Sequence, residues 1–237
     1  MESLSQSEQD RYTLFLSIWP RYFAVAALLF SGIFLCWRAV GVFSLLSGVF
    51  FMFFLYCGRN FWRGFGITGG VANTITALRV VGILLLLAFQ TYLHQYVFFV
   101  VGILILVADG LDGYYARKHN TVSDFGDFFD KETDAFFVLA FCIILVEQEL
   151  LGAWIILPGL MRYAFVLILY LFNIEHIVLG KSYRRRFVGM WFMGSMMGCF
   201  VLPEVFYTAA MVFATAMLAY SFMKDFFLML KQRPYQG

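Results

Sequence analysis

The sequence is poor in charge. Only 14% of its 237 residues are Asp, Glu, Lys or Arg, whereas 62% are apolar, and this balance excludes an ordinary soluble domain. Four cysteines and three histidines are present, and neither type shows the spacing of a zinc site or a catalytic triad. The net charge is only +2, and we expect no nucleic-acid partner.

Apolar residues are abundant instead, and they occur in long runs. Eight apolar runs, most of them near the ~20 residues that a membrane span requires, lie at 18–37, 40–57, 73–93, 96–117, 127–146, 151–173, 187–202 and 205–229. They predict an all-α, polytopic membrane helical bundle. Residues 1–12 are polar, and we expect a flexible or interfacial lead. No A-x-A site follows the first run, so we expect no cleaved signal peptide.

Residues 59–70 resemble a linker, because Arg, Trp and Phe interleave there as in a segment that lies on lipid headgroups. We therefore divide the chain into 1–70, with the lead, two transmembrane helices and the linker, and 71–237, with six helices. We expect the N-terminal pair to serve packing, because it contains no intramembrane carboxylate.

The distribution of basic residues predicts the orientation. With eight spans, one set of connections holds Arg59, Arg63, Arg117, Lys118, Lys181, Arg184, Arg185, Arg186, Lys231 and Arg233. The other set holds Arg38 and three glutamates. The positive-inside rule places the first set in the cytoplasm.

One stretch interrupts the hydrocarbon with a group of carboxylates. The motif residues of the fourth run recur at helical intervals on one stripe: Asp109, Asp112, Gly113, Ala116 and Arg117. Those of the fifth run, Gly126, Asp130 and Asp134, are four residues apart. Two helices joined by a short bend are antiparallel neighbours, so the four carboxylates are expected to converge.

Converging carboxylates repel one another unless a cation or protons neutralise them. Oxygen ligands select hard divalent ions, Mg²⁺ or Mn²⁺. The small residues leave a groove for a ligand, and Arg117 at its rim suits a phosphate. The alternative is a polar helix hairpin packed inside a membrane bundle, which buries costly charges.

The pattern D-x2-D-G-x2-A-R-x8-G-x3-D-x3-D resembles the CDP-alcohol phosphotransferase signature at every fixed position. The resemblance covers roughly residues 70–230 and implies a six-span core. It also implies transfer of a phosphatidyl group, usually from CDP-diacylglycerol, to an alcohol with release of CMP. Two divalent ions and, commonly in this family, a homodimer are expected.

The resemblance also implies roles for single residues. Asp109, Asp112, Asp130 and Asp134 would bind metal, and Asp134 would also be the general base. The expected contacts of the CDP-linked donor are Asn73, Thr76, Asp112, Gly113, Ala116, Arg117 and Gly126. For Asn73 and Thr76, a helix N-cap and an intrahelical hydroxyl bond are open alternatives. Arg79, one turn further, can serve the site or reach lipid headgroups.

The acceptor alcohol is less constrained. Arg162 lies midway along an apolar run, so it should face a polar cavity or a carboxylate. Basic residues after Gly180 loosely resemble the Gly-Lys-x-Lys segment of phosphatidylglycerophosphate synthases. The candidate acceptor-binding residues are Arg162, Lys181, Arg185 and Arg186, although attraction of the basic loop to headgroups is an equal alternative.

Glycerol 3-phosphate is the favoured acceptor, followed by inositol phosphate and serine. A transporter with an acidic metal-binding cavity is the alternative from another class, and it would show inverted repeats. The sequence predicts an integral membrane protein, in the bacterial inner membrane, with the site on the cytoplasmic side.

Overall fold

The computed structural model describes residues 6–61, 69–118, 123–172 and 182–231, and side chains throughout except in 6–8, 61, 69–70 and 111–118. Within these ranges the chain forms helices and no strand. The helices are α1 (Gln6–Trp37), α2 (Val40–Gly58), α3 (Gly69–Phe89), α4 (Gln95–Lys118), α5 (Asp124–Glu147), α6 (Ile156–Leu171), α7 (Tyr183–Gly198) and α8 (Glu204–Lys231). Single 3-10 turns lie at Arg59–Phe61 and Ala153–Ile155. The all-α prediction is confirmed.

Five helical segments of the described chain are long and apolar enough to cross a membrane: Gln9–Trp37, Val40–Gly58, Val71–Phe89, Ala153–Leu171 and Glu204–Lys231. The protein is therefore a polytopic membrane bundle. The described side chains of α4 form a shorter apolar segment over Gln95–Gly110, and those of residues 111–118 lie outside the description. Helix α7, with 16 residues, is about 24 Å long, shorter than the ~30 Å hydrocarbon core.

Helix α5 lies at the centre of the bundle. Every residue from 139 to 146 is buried, as expected of a helix that is apolar on all sides. It contacts α1, α3, α6 and α7. A Cβ atom on Gly159 of α6 would lie 3.2 Å from the Leu139 Cα atom, so a glycine is needed where these two backbones approach. This packing fixes the helix that carries half of the motif.

The N-terminal pair packs along the whole length of α5. At one end, the Phe125 backbone N–H donates a hydrogen bond to the Tyr12 hydroxyl at 2.7 Å. In the middle, Phe51 is buried and its ring centroid lies 5.0 Å from that of Phe136. At the other end, Arg38 pairs with Glu147 at 3.3 Å. The pair thus shares one hydrophobic core with the rest, and the domain division at 70/71 stays a prediction.

The ends of some helices differ from the predicted runs. Residues 6–12 are helical, so of the two alternatives for the lead the flexible one is wrong for them, because Tyr12 is held by its contact with α5; an interfacial position stays a prediction. Helix α3 ends at Phe89 and not at residue 93. Helix α7 begins at Tyr183 and not at residue 187, because Arg184 is bound to α8.

Candidate active site

Three motif aspartates converge where α4 and α5 both pack against α3. Asp109 belongs to α4, and Asp130 and Asp134 lie one turn apart on α5. Each offers a carboxylate oxygen, and these oxygens lie within 4.8 Å of one another. The three side chains are half-buried, with 35–37% of their surface exposed. The site is therefore open to a ligand from one side.

Helix α3 completes the cluster with a buried arginine. One guanidinium nitrogen of Arg79, Nη1, lies 2.7 Å from Asp130 Oδ1 and 2.9 Å from Asp109 Oδ1. The other, Nη2, donates to Asp134 Oδ1 at 2.5 Å. Arg79 is 3% exposed, so it does not reach lipid headgroups. A single cation side chain bridges carboxylates of two helices from a third.

The donor set fits a hard divalent ion. All three groups are carboxylates on rigid helices, which is the chemistry that Mg²⁺ and Mn²⁺ prefer. Asp109, Asp130 and Asp134 would hold such an ion. Asp112 belongs to the same helix as Asp109, three residues further on, and its side chain lies outside the described part of the structure.

One turn before Asp130, the first turn of α5 contacts α3. Gly126 is in the first turn of α5, where its backbone N–H donates to the Ser123 hydroxyl that caps the helix. A Cβ atom on Gly126 would lie 2.9 Å from Asn73 Oδ1. Asn73 is 3% exposed, so two residues of the predicted donor site meet here.

The structure resolves two alternatives for α3. Helix α3 begins at Gly69, so Asn73 is inside the helix and the N-cap interpretation is wrong. The Thr76 hydroxyl donates to the Ala72 carbonyl at 3.1 Å, so the intrahelical bond is present. Thr76 is buried beside the site.

The remaining candidates for the donor site cannot be placed in detail. Gly113, Ala116 and Arg117 belong to α4, and their side chains are among those outside the description. Lys181, predicted to bind the acceptor, also lies outside the described residues.

Arg162 meets a carboxylate, as its depth in the membrane requires. Its guanidinium is paired with Glu132 of α5, whose side chain is only 2% exposed. Glu132 is two positions after Asp130 and two before Asp134, and a step of two positions is a rotation of about 200° around a helix. Arg162 is therefore bound on the side of α5 opposite the aspartate cluster.

The arginines of α7 are divided between α8 and the surface. Arg184 donates to the Ser221 carbonyl at 3.0 Å and to Asp225 at 2.5 Å. Arg185 approaches the same Asp225 carboxylate at 3.6 Å. Arg186 is exposed, so among the three it is the one turned to the outside.

Sequence reasoning left Arg79 open between the site and lipid headgroups, did not identify Glu132 as the carboxylate that Arg162 needs, and did not foresee the contact of Tyr12. Two signals were available. Arg79 follows Asn73 and Thr76 at steps of three residues, which places it on the same helical face. An arginine in an apolar run needs a carboxylate, and Glu132 is one. Nothing in the sequence indicated that Tyr12 contacts α5.

Comparisons with known proteins agree with this geometry. The family model for CDP-alcohol phosphatidyltransferases matches residues 70–226, well over half of the chain. A curated relative, the CDP-diacylglycerol–glycerol-3-phosphate 3-phosphatidyltransferase of Bacillus subtilis (strain 168), is 46% identical over 54 residues, which cover 23% of this chain and 28% of the relative. The segment that the family model matches runs from the second residue of α3 into α8, and it includes Asp109, Asp130 and Asp134. The chain belongs to the CDP-alcohol phosphatidyltransferase family.

Proposed function

We propose that the protein transfers the phosphatidyl group of CDP-diacylglycerol to glycerol 3-phosphate and releases CMP, in phospholipid biosynthesis. The observation that carries this proposal is the convergence of Asp109, Asp130 and Asp134 within 4.8 Å, inside the segment that matches the family model. The activity for which the Bacillus relative is named supports the choice of donor and acceptor. Inositol phosphate and serine are the other acceptors to test.

The reaction needs one proton acceptor and a site for spread negative charge. The acceptor hydroxyl oxygen attacks the phosphorus that carries the diacylglycerol group. A P–O bond forms there, the P–O bond to CMP breaks, and the hydroxyl proton goes to the Asp134 carboxylate. Divalent ions, when bound, would neutralise the diphosphate charge. Asp109, Asp112, Asp130 and Asp134 would hold two of them, Mg²⁺ or Mn²⁺.

The donor would lie between α3, α4 and α5. Asn73, Thr76 and Gly126 would line one side of the nucleotide, and Asp112, Gly113 and Ala116 the other, with Arg117 on the phosphates. The acceptor would approach from the α7 side, where Arg185, Arg186 and Lys181 would bind its phosphate. Arg162 is bound to Glu132 on the opposite side of α5, so the proposed acceptor contacts leave it out. A homodimer and a cytoplasmic orientation of the site remain part of the proposal.

The test is CMP release by purified protein in nanodiscs with CDP-diacylglycerol and each acceptor in turn. We expect turnover with Mg²⁺ or Mn²⁺, loss of turnover in EDTA, and highest activity with glycerol 3-phosphate. Asp130→Asn removes a ligand of the ion that would neutralise the reacting phosphate, and it should lower kcat by at least about 100-fold, the range expected when one source of charge stabilisation is lost.

Asp127→Asn is the matched control. Asp127 lies on the same helix, three residues before Asp130 at a variable position of the motif, and pairs with Lys131 at the surface. Its loss should leave turnover within about twofold, because exposed pairs contribute little. Normal turnover of Asp130→Asn, or an equal loss in both variants, contradicts the assignment of the metal ligands.

A further inference from the structure

The Arg79 side chain is arranged as a cation among the groups that would bind a cation. Its two terminal nitrogens contact Oδ1 of Asp109, Asp130 and Asp134 at 2.9, 2.7 and 2.5 Å. Its side chain is 2% exposed, whereas the three carboxylates are 35–37% exposed. The guanidinium thus approaches the cluster from inside the bundle, and the open side faces outward.

The charge of the Arg79 guanidinium affects both the repulsion among the three carboxylates and their binding of a metal ion. Three carboxylates within 4.8 Å repel one another, and the repulsion is strong where water is partly excluded. One guanidinium offsets part of it. It also uses carboxylate oxygens that a divalent ion would bind, and a positive charge about 3 Å from those oxygens opposes the entry of a second cation.

We infer that Arg79 is the resident counter-cation of the site: it holds the three aspartates together when no divalent ion is bound, and it competes with the ion for their oxygens. Arg79 is on this account a positioning residue that sets metal affinity. The inference rests on the proposed function, because it takes the three aspartates as metal ligands. It adds a protein cation that must yield part of its contacts before the site is loaded.

The test compares Arg79→Met and Arg79→Lys with the unmodified protein in nanodiscs. Mn²⁺ binding is followed by electron paramagnetic resonance, and thermal unfolding is followed in EDTA and in saturating Mn²⁺. For Arg79→Met we expect Mn²⁺ to bind roughly tenfold more tightly, because a neighbouring positive charge is removed. In EDTA its melting temperature should fall by about 3 °C or more, and Mn²⁺ should abolish the difference.

Arg79→Lys retains the charge and loses the planar bridge. Its Mn²⁺ affinity should therefore stay within about twofold of the unmodified protein, with an intermediate melting temperature in EDTA. If Arg79→Met cannot be purified in EDTA, the double variant Arg79→Met/Asp109→Asn should recover stability, because it removes one of the repelling carboxylates.

Arg184→Met is the matched control. It also removes a partly buried arginine that is paired with a carboxylate, Asp225 at 2.5 Å, but on α7 and α8. It should lower the melting temperature equally in EDTA and in Mn²⁺, and it should not change Mn²⁺ affinity.

Two results overturn the inference: unchanged or weaker Mn²⁺ binding by Arg79→Met, and an unchanged melting temperature in EDTA. CMP release by the unmodified protein, measured on the same preparation, tests the proposed function separately. Release of CMP together with unchanged Mn²⁺ binding in Arg79→Met would leave the proposed function standing and remove the role of Arg79. Tighter Mn²⁺ binding without any CMP release would do the reverse.

Discussion

At the scale of single residues, α5 directs its acidic side chains in two directions. Asp130 and Asp134 face Arg79 of α3, and Glu132 faces Arg162 of α6. Each of these three carboxylates thus has a cationic partner on a neighbouring helix, as charges in hydrocarbon require. The two pairings together fix the rotation of α5 about its axis, because a turn of the helix would break both.

Gly126 gives the first prediction at this scale. In Gly126→Ala, the added Cβ atom would lie 2.9 Å from Asn73 Oδ1 and 3.1 Å from Ser123 Oγ. Asn73 is buried, so it cannot relieve this contact without leaving its present position. We expect its amide to be displaced from the donor site. We expect KM for CDP-diacylglycerol to rise about tenfold, equivalent to ~1.4 kcal/mol of lost binding, with a smaller effect on kcat. Steady-state CMP release measures both.

Gly189→Ala on α7 is the control, since an added Cβ atom there would have no heavy atom within 4 Å. It should leave KM unchanged. Equal KM values for Gly126→Ala and the unmodified protein would show that the contact between Gly126 and Asn73 does not shape the donor site.

The convergence of the aspartates was predictable from the sequence, because steps of three and four residues place side chains on one helical face. The sequence allowed Arg79 to serve the site, but it did not predict that Arg79 contacts all three aspartates. Arg79 is 30 residues before Asp109, and its contact with three carboxylates depends on how α3 packs against both α4 and α5. Periodicity within a helix carries no information on the rotation of one helix against another.

At the scale of helices, the N-terminal pair supports the helix that carries Asp130 and Asp134. Tyr12 accepts a hydrogen bond from the backbone of Phe125, and the Phe15 ring lies 6.1 Å from the Phe125 ring. A Cβ atom on Gly58 would lie 2.7 Å from the same ring, so α2 also touches α5 at this point. The first turn of α5 is therefore enclosed by α1 and α2, one turn before Asp130.

Tyr12→Phe tests this support. The substitution removes one hydrogen-bond partner from the start of α5 and keeps the ring. We expect a loss of about 1 kcal/mol in the free energy of unfolding, which corresponds to a fall of about 2–4 °C in melting temperature. Turnover should also fall, because Gly126 follows Phe125 directly. Thermal unfolding and CMP release measure the two effects.

Tyr22→Phe is the matched control, because Tyr22 lies on the same helix and is exposed. It should change neither measurement. A Tyr12→Phe variant with normal stability and turnover would reduce the N-terminal pair to a packing extension without influence on α5.

The positions of the helices were predictable, whereas some of their ends were not. The predicted runs 40–57 and 96–117 differ by at most one residue at either end from α2 and α4, because hydropathy changes abruptly there. Helix α1 begins earlier than hydropathy indicates, since a tertiary contact with α5 orders polar residues that have no apolar signal. Helix α7 begins early for the same kind of reason, a contact between Arg184 and α8.

At the scale of the whole molecule, the bundle has two chemically different ends. One end holds Tyr12, the contact of Asn73 with Gly126, and Arg184 with Asp225. The opposite end holds Arg38 with Glu147, and the Gln148 side chain, which donates to the Gln90 carbonyl at 3.1 Å. Among the described residues, the basic side chains near helix ends concentrate at the first end, and the positive-inside rule therefore predicts that this end is the cytoplasmic one.

Two native cysteines allow this orientation to be tested. Cys36 lies one residue before the end of α1, and Cys57 one residue before the end of α2. Both are exposed, whereas Cys142 and Cys199 are buried. Because α1 and α2 run in opposite directions, the two exposed thiols lie near opposite faces of the membrane. A charged maleimide that cannot cross the bilayer should therefore distinguish them.

We expect the maleimide to label Cys57 from the cytoplasmic side and Cys36 from the other. In right-side-out vesicles the Cys57→Ser variant, which retains Cys36, should be labelled, and the Cys36→Ser variant should be labelled only after permeabilisation. Inverted vesicles should give the opposite result. The double variant corrects for any reaction of Cys142 and Cys199. Labelling of Cys57 in sealed right-side-out vesicles would place the aspartate cluster on the outer face, where a CDP-linked donor made in the cytoplasm could not reach it directly.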